Sequence, residues 1–372
     1  MKIGVPKEIK THEYRVGLVP GSVRELTHHG HQLVVQTGAG LGAGHEDGAY
    51  LEAGAEILPH APALFEAADL IVKVKEPQPS EIPHLRQGQT LFTYLHLAPD
   101  PRQADGLLLS GATAIAYETV TDAHGRLPLL APMSEVAGRM AVQAGAHHLE
   151  KEQGGSGILL GGVPGVPPAQ VVVLGGGVVG SNAARMAIGL GARVTLLDTN
   201  LARLAELEDH FGASLTTVYA TLDAIERQVV DADLVIGAVL LPGAAAPRLI
   251  SRDMLKKMRP GSVLVDVAID QGGCAETSRP TTHADPTYVV EGVVHYCVAN
   301  MPGAVARTSA QALNNATLPF VLALAGKGIK QALIDDPHLM AGLNIHQGKI
   351  THEAVARALS LPYVPPIEAL AK

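Results

Sequence analysis

The run Val171-Val172-Val173-Leu174-Gly175-Gly176-Gly177-Val178-Val179-Gly180 carries the clearest chemical signal in the chain. Gly175, Gly177 and Gly180 fit the spacing G-x-G-x-x-G. The first glycine permits a tight turn, the second admits a pyrophosphate to the backbone, and the third lets helix and strand pack closely. The N–H groups opening the helix then face the phosphates. Asp198 ends the next apolar run, near the offset of roughly 20 residues where an acid takes a ribose 2′-hydroxyl. Strand, glycine turn, helix and strand-terminal acid together point to a bound dinucleotide. NAD is expected over NADP, because a 2′-phosphate would face the Asp198 carboxylate. Arg203, a turn further on, works against strictness.

Four more residues fall at or just after apolar runs. They are Arg15, Lys75, His96 and Asp270. An arginine offers a planar fork for a carboxylate, and a lysine a point charge for an oxygen. Histidine carries protons near neutral pH. A carboxylate can orient water or accept a proton. Singly, each has a plainer reading as a surface charge, a turn residue or one of 17 histidines.

The elements that position these residues alternate. Strands are expected at Ile3–Val5, Gln32–Val35, Leu70–Val74, Thr90–Tyr94 and Thr113–Tyr117. A second set follows at Val171–Leu174, Val194–Leu197, Leu215–Tyr219, Leu234–Ala238 and Val263–Val267. Helical patterns such as Gly21–His29, Pro101–Leu109, Ser181–Leu190, Leu201–His210 and Asp253–Met258 lie between them. This is a parallel α/β layout given twice. From Arg307 onward the composition is helical, at Ala310–Ala325, Gly328–Asp335 and Thr351–Leu359, with too few strand signals for a third domain. That segment is expected to return to the first domain. The expected division is 1–129 with 307–372 as a discontinuous substrate and catalytic domain, and 130–306 as a dinucleotide domain. Ligands bind beyond the carboxyl ends of such strands, so the quartet is expected in a cleft between the domains.

Composition narrows the class. The chain has 372 residues, 47% hydrophobic and 17% charged, with a net charge of −8 and no tryptophan. An acidic chain without a basic block is a poor candidate for nucleic acid. The two cysteines, Cys274 and Cys297, make no metal or redox motif. No His-Glu-x-x-His occurs, so no metal is expected. Residues 153–184 carry no charged side chain, but their glycines and prolines suit a loop before a buried strand, not a membrane span. No apolar signal segment follows Met1, and the cytoplasm is the expected location. His28, His29 and His31 suit a helix end and turn, and His147-His148 a helix surface. Gly155-Ser156-Gly157 lacks the context of a nucleophile elbow.

Several ordered segments resemble the alanine dehydrogenase family, shared with the nucleotide-binding subunit of proton-pumping transhydrogenase. They include Gly4-Val5-Pro6-Lys7-Glu8, Glu13-Tyr14-Arg15-Val16, Val72-Lys73-Val74-Lys75-Glu76-Pro77 and Tyr94-Leu95-His96-Leu97-Ala98. Ala131 to Arg139, the glycine run, Asp266 to Gly273 and Asn300-Met301-Pro302-Gly303 continue the match. The resemblance covers nearly the whole chain. It implies two doubly wound parallel-sheet domains, a Rossmann NAD-binding domain and a discontinuous Rossmann-like catalytic domain.

By the same resemblance, Arg15 and Lys75 bind substrate and His96 and Asp270 are the catalytic pair. Leu130 and Met133 wall a small substrate pocket. Ser134, Val178, Val179, Asp198, Arg203, Val239, Leu240, Val267, Ala268, Ile269, Asn300 and Met301 surround NAD with the three motif glycines. L-Alanine, pyruvate and ammonium are the implied small-molecule partners, and the implied assembly is a homo-hexamer.

Three other readings compete. The transhydrogenase subunit carries an Arg-x-Gln type loop where this chain has Pro132-Met133-Ser134-Glu135-Val136. A D-2-hydroxyacid dehydrogenase would need a late acid/base histidine, for which His283 and His295 lack a matching motif. A non-catalytic NAD-binding regulator would have no use for the quartet.

Overall fold

The computed structural model describes residues 1–239 and 246–371. By internal contacts it divides into one unit of residues 1–133 and 303–372 and another of 134–302. The first unit thus runs past residue 129 to Met133. Two bonds tie residues 129 and 133 to that unit. The Tyr94 hydroxyl donates to the Leu129 carbonyl at 2.5 Å, and the Arg15 guanidinium donates to Met133 Sδ at 2.9 Å.

In the first unit, β1 (Lys2–Val5), β2 (Gln32–Gln36), β3 (Glu56–Leu58), β4 (Leu70–Val72), β5 (Thr90–Thr93) and β6 (Thr113–Ala116) lie in the order β3-β2-β1-β4-β5-β6. All five pairings among them are parallel. The order reverses between β1 and β4, which makes that the switch point where open sheets bind ligands. The second unit repeats the plan with β7 (Gln170–Leu174), β8 (Arg193–Asp198), β9 (Leu215–Tyr219), β10 (Leu234–Gly237), β11 (Val263–Asp266), β12 (Thr287–Val290) and β13 (Val293–Tyr296). Its order is β9-β8-β7-β10-β11-β13-β12, with the switch between β7 and β10. Fully buried strands such as Val171–Leu174 read as unbroken apolar runs because helices cover both faces.

The sheets are parallel except at their edges. β12 pairs antiparallel with β13. After the helix Ala306–Lys327, the chain forms β14 (Leu343–His346) and β15 (Lys349–Ile350), an antiparallel hairpin that extends the first sheet beyond β6. The C-terminal segment is therefore not all helical. Its hairpin is hidden in the sequence because Leu343 and Ile345 alternate with a buried Asn344 held by Thr119 and the Gly342 carbonyl. β3 and β12 were equally silent, being short and partly exposed edge strands.

His148 corrects a surface expectation. It is buried in the helix Ala131–His148, 5.4 Å from the Tyr296 ring, while His147 stays exposed. The uncharged stretch forms an irregular loop with a single bridge, Val163 to Val166, then β7. Among the described residues, no helix is long and apolar enough to cross a membrane.

The first core encloses a charge. Lys73 has 0% exposure, and its ammonium lies 2.8 Å from Glu81 and 3.2 Å from Glu8. Burial lowers its pKa, but the two carboxylates outweigh that and hold it above the ordinary value. Lys73→Ala leaves both carboxylates buried without a countercharge. We expect a loss of about 3–5 kcal/mol in urea unfolding, and a loss under about 1 kcal/mol would contradict the pairing.

Candidate functional site

The first unit gathers its polar residues at the β1/β4 switch. The loop after β1 carries Glu8, which is 6% exposed. Glu8 Oε1 accepts from the Val74 N–H at 2.6 Å and the Lys75 N–H at 3.3 Å. The Thr93 hydroxyl donates to the Lys75 carbonyl at 2.9 Å. Lys75 is thus pinned on both sides of its backbone by neighbouring strand ends. Further along the same loop, a Cβ on Gly17 would lie 2.2 Å from the Val72 carbonyl. That position stays glycine so that the chain carrying Arg15 can lie against the end of β4.

Arg15 is 2% exposed. Glu13 accepts from its Nε at 2.7 Å and its Nη2 at 2.6 Å, a fork-to-fork pair that fixes the guanidinium plane. Burial works against the guanidinium, and Glu13 outweighs it. Lys75 differs. Burial and then the Arg15 charge push its pKa down. No hydrogen bond or ion pair among the described residues reaches its ammonium. The adjacent Glu76 carboxylate is bonded to Lys10 instead. A half-buried cation beside a buried cation is a ready place for a carboxylate or a carbonyl oxygen.

His96 follows β5 with φ +50°, a left-handed conformation rare for a residue with a side chain. Glu118 holds it there. Its carboxylate accepts from the His96 N–H at 2.7 Å and the Leu95 N–H at 3.1 Å. The exposed imidazole stacks on Tyr94 at 5.9 Å and 9°, and Tyr94 in turn feels the Arg15 charge. Backbone strain held by surrounding structure gathers at functional sites. Arg15, Lys75, His96 and Met133 are thereby linked in one cluster, with Leu130 half-buried one turn before Met133. Glu118 was missed in the sequence. It lies just after β6, so the strand-end rule that found the others would have found it.

In the second unit Gly175 ends β7 at φ +101°, and a Cβ there would lie 2.8 Å from the Ala238 carbonyl beyond β10. A Cβ on Gly180 would stand 1.8 Å from the Gly175 carbonyl. At Gly177 it would meet nothing within 4 Å. Gly177 caps the helix Val178–Gly189 with no side chain bonded to its N-terminus. The turn therefore fits a pyrophosphate, with open backbone where it must approach and tight packing behind.

Asp198 ends β8, with Oδ2 accepting from the Gly176 N–H at 2.6 Å and Oδ1 from the Asn200 N–H at 2.8 Å. A carboxylate has about four acceptor positions, so ribose hydroxyls can be added to these two bonds. Arg203 reaches the other side of Gly176, donating from Nε to its carbonyl at 2.7 Å. The acid and the arginine both shape the glycine turn itself, a role the spacing did not reveal.

Ser134 lies in the first turn of the helix Ala131–His148, and Val239 follows β10. Leu240 lies outside the described residues. Val267, Ala268, Ile269 and Asp270 form a 3-10 turn after β11, with Asp270 exposed. Asn300 has φ +62° and precedes the buried Met301. His295 is 0% exposed, with ring nitrogens at 2.7 Å from Thr277 and 2.9 Å from the Val293 carbonyl. His283 bonds the Asn300 carbonyl. Neither stands as the acid/base histidine of a hydroxyacid enzyme. Among the described residues, no group of three or more His, Cys, Asp or Glu could hold a metal.

Family models described as alanine dehydrogenase/PNT match the chain twice, the N-terminal domain over residues 4–137 and the C-terminal domain over 141–353. An alanine dehydrogenase of Halomonas elongata is 66% identical over 364 residues, 98% of each chain. A solved L-alanine dehydrogenase superposes with TM-score 0.94 at 53% identity, over 97% of this chain and 99% of that one. A transhydrogenase from Sinorhizobium meliloti gives TM-score 0.83 at 26% identity, over 94% and 100%.

Lys75, whose ammonium has no partner among the described residues, also bears on stability. Its pKa is depressed on folding, so the charged form is penalised. The penalty is complete below the folded pKa and fades as pH rises toward the ordinary 10.5. Lys75→Met should therefore raise the unfolding free energy measured in urea at neutral pH by about 0.5–2 kcal/mol, with the gain narrowing toward pH 10.5. A destabilised variant, or a gain that grows with pH, would contradict the electrostatics.

Proposed function

The chain belongs to the alanine dehydrogenase family, and from that premise we propose that it interconverts L-alanine and pyruvate with NAD. The overall change is L-alanine, NAD⁺ and water to pyruvate, ammonium, NADH and a proton. The observation that carries the reading is the half-buried Lys75 ammonium, with no bond or ion pair among the described residues, beside the buried Arg15.

The chemistry NAD supplies when bound is acceptance of a hydride from the substrate Cα. Gly175, Gly177 and Gly180 would seat its pyrophosphate, and Asp198 its ribose. Ser134, Val178, Val179, Arg203, Val239, Leu240, Val267, Ala268, Ile269, Asn300 and Met301 complete the assignment by family resemblance. Arg15, oriented by Glu13, holds the substrate carboxylate. Lys75 holds that group or the oxygen developing at C2, where a desolvated point charge acts strongly. Leu130 and Met133 restrict the side chain to a small one.

Loss of hydride and of a nitrogen proton leaves an iminium. Asp270 orients the water that adds to C2. His96 moves protons at that oxygen as the C–N bond breaks and ammonia leaves, protonated, as ammonium. The left-handed turn held by Glu118 keeps the imidazole in place for this. Histidine suits the step because its proton is exchangeable near neutral pH.

The transhydrogenase reading is the weaker one, at 26% identity against 66% for the dehydrogenase. A cytoplasmic homo-hexamer accords with the family resemblance. NADH oxidation with pyruvate tests the function directly. We expect oxidation that requires ammonium. Ammonium-independent reduction of pyruvate would indicate a hydroxyacid enzyme, and nucleotide-to-nucleotide transfer without pyruvate turnover would indicate a transhydrogenase; either contradicts the proposal.

A further inference from the structure

We propose that Asp266 is the positioning residue for Asp270, closing the loop that carries it around one buried carboxylate. The inference rests on Asp270 taking part in the reaction as proposed above.

Asp266 ends β11 and is 0% exposed. Oδ1 accepts from the Ala268 N–H at 3.1 Å, capping the 3-10 turn Val267–Gln271. Oδ2 accepts from the Cys274 N–H at 2.8 Å and from the Ser278 hydroxyl. One carboxylate thus ties the start of the loop to its far side, and Asp270 lies between the tied ends. Burial, and next Asp266 itself, push the Cys274 thiol well above its ordinary range, so it stays a neutral neighbour.

The surroundings are shaped to this carboxylate. A Cβ on Gly237 would lie 2.3 Å from Cys274 Sγ and 3.0 Å from Asp266 Oδ1. A Cβ on Gly273, which sits at φ +85°, would lie 2.7 Å from Asp266 Oδ2 and 2.5 Å from Ser278 Cβ. Two successive left-handed glycines, Gly272 and Gly273, let the chain turn back onto the carboxylate. A buried carboxylate so enclosed cannot touch substrate. Its effect on turnover must pass through the loop. Asp270 is exposed and its carboxylate has no hydrogen bond among the described residues, so its place depends on the backbone beneath it.

Asp266→Asn retains the size of the group but turns one acceptor into a donor facing N–H and O–H groups. The full-length enzyme is assayed as Asp266→Asn, as Asp270→Glu and as both together, with kcat, pyruvate KM and thermal midpoint recorded. Alone, Asp266→Asn is expected to lower kcat about 10- to 100-fold, with pyruvate KM within about threefold. In the Asp270→Glu background it should cost less than about threefold more, because both changes damage one unit.

Losses that multiply as independent effects, or an unchanged kcat in Asp266→Asn, overturn the inference while leaving Asp270 in its role. Full activity of Asp270→Glu overturns the role of Asp270 itself. If Asp266→Asn does not fold, Ser278→Ala removes one bond and leaves the carboxylate. It should then show a smaller kcat loss with the same non-additivity, and a multiplicative loss again overturns the inference.

Discussion

Glu8 accepts from two backbone N–H groups and faces a buried ammonium, and the first unit's site depends on that arrangement. The site needs two cations close together, out of water. Each is repelled by the other and penalised by burial. Carboxylates make this tolerable. Glu13 neutralises and orients Arg15, while Glu8 and Glu81 neutralise Lys73. Glu8 also fixes the backbone of Lys75 but forms no bond to its ammonium. The resulting positive charge is available to an incoming anion, at a cost in stability when none is bound.

The same logic of strand ends organises the second unit with different chemistry. Its switch point presents backbone, not side-chain charge. Gly175 and Gly180 are confined by carbonyls, whereas Gly177 is open at the head of a helix. Asp198 and Arg203 grip Gly176 from opposite sides, so the turn is formed before any ligand arrives. Preorganised N–H groups then need no rearrangement to meet phosphate oxygens.

Much of this was legible in the sequence because buried parallel strands leave unbroken apolar runs, and polar residues directly after such runs fall at sheet ends. Lys75, His96 and Asp270 follow such runs closely and Arg15 follows further along a longer loop; the roles proposed for all four rest on the resemblance. What stayed hidden has a common physical reason. Short strands such as the edge strand Glu56–Leu58 and the hairpin strand Leu343–His346 are too short or too polar to show a period. Glu118 gave no motif, and Asp266 lay in a matching segment without a role of its own, because a carboxylate accepting backbone N–H groups can follow any strand. His148 looked like a surface residue because a doubled histidine on a helix says nothing of which one faces the core.

By holding the Val74 and Lys75 N–H groups, Glu8 sets where Lys75 stands at the end of β4, and with it the place proposed for an anionic substrate. Pyruvate KM in Glu8→Gln, measured on folded enzyme at saturating NADH and ammonium, tests it most directly. The amide keeps the shape, loses the charge and presents a donor to Lys73. A rise in pyruvate KM of about 10-fold is expected, with NADH affinity unchanged because the glycine turn belongs to the other unit. A pyruvate KM within about twofold of the parent enzyme would contradict it.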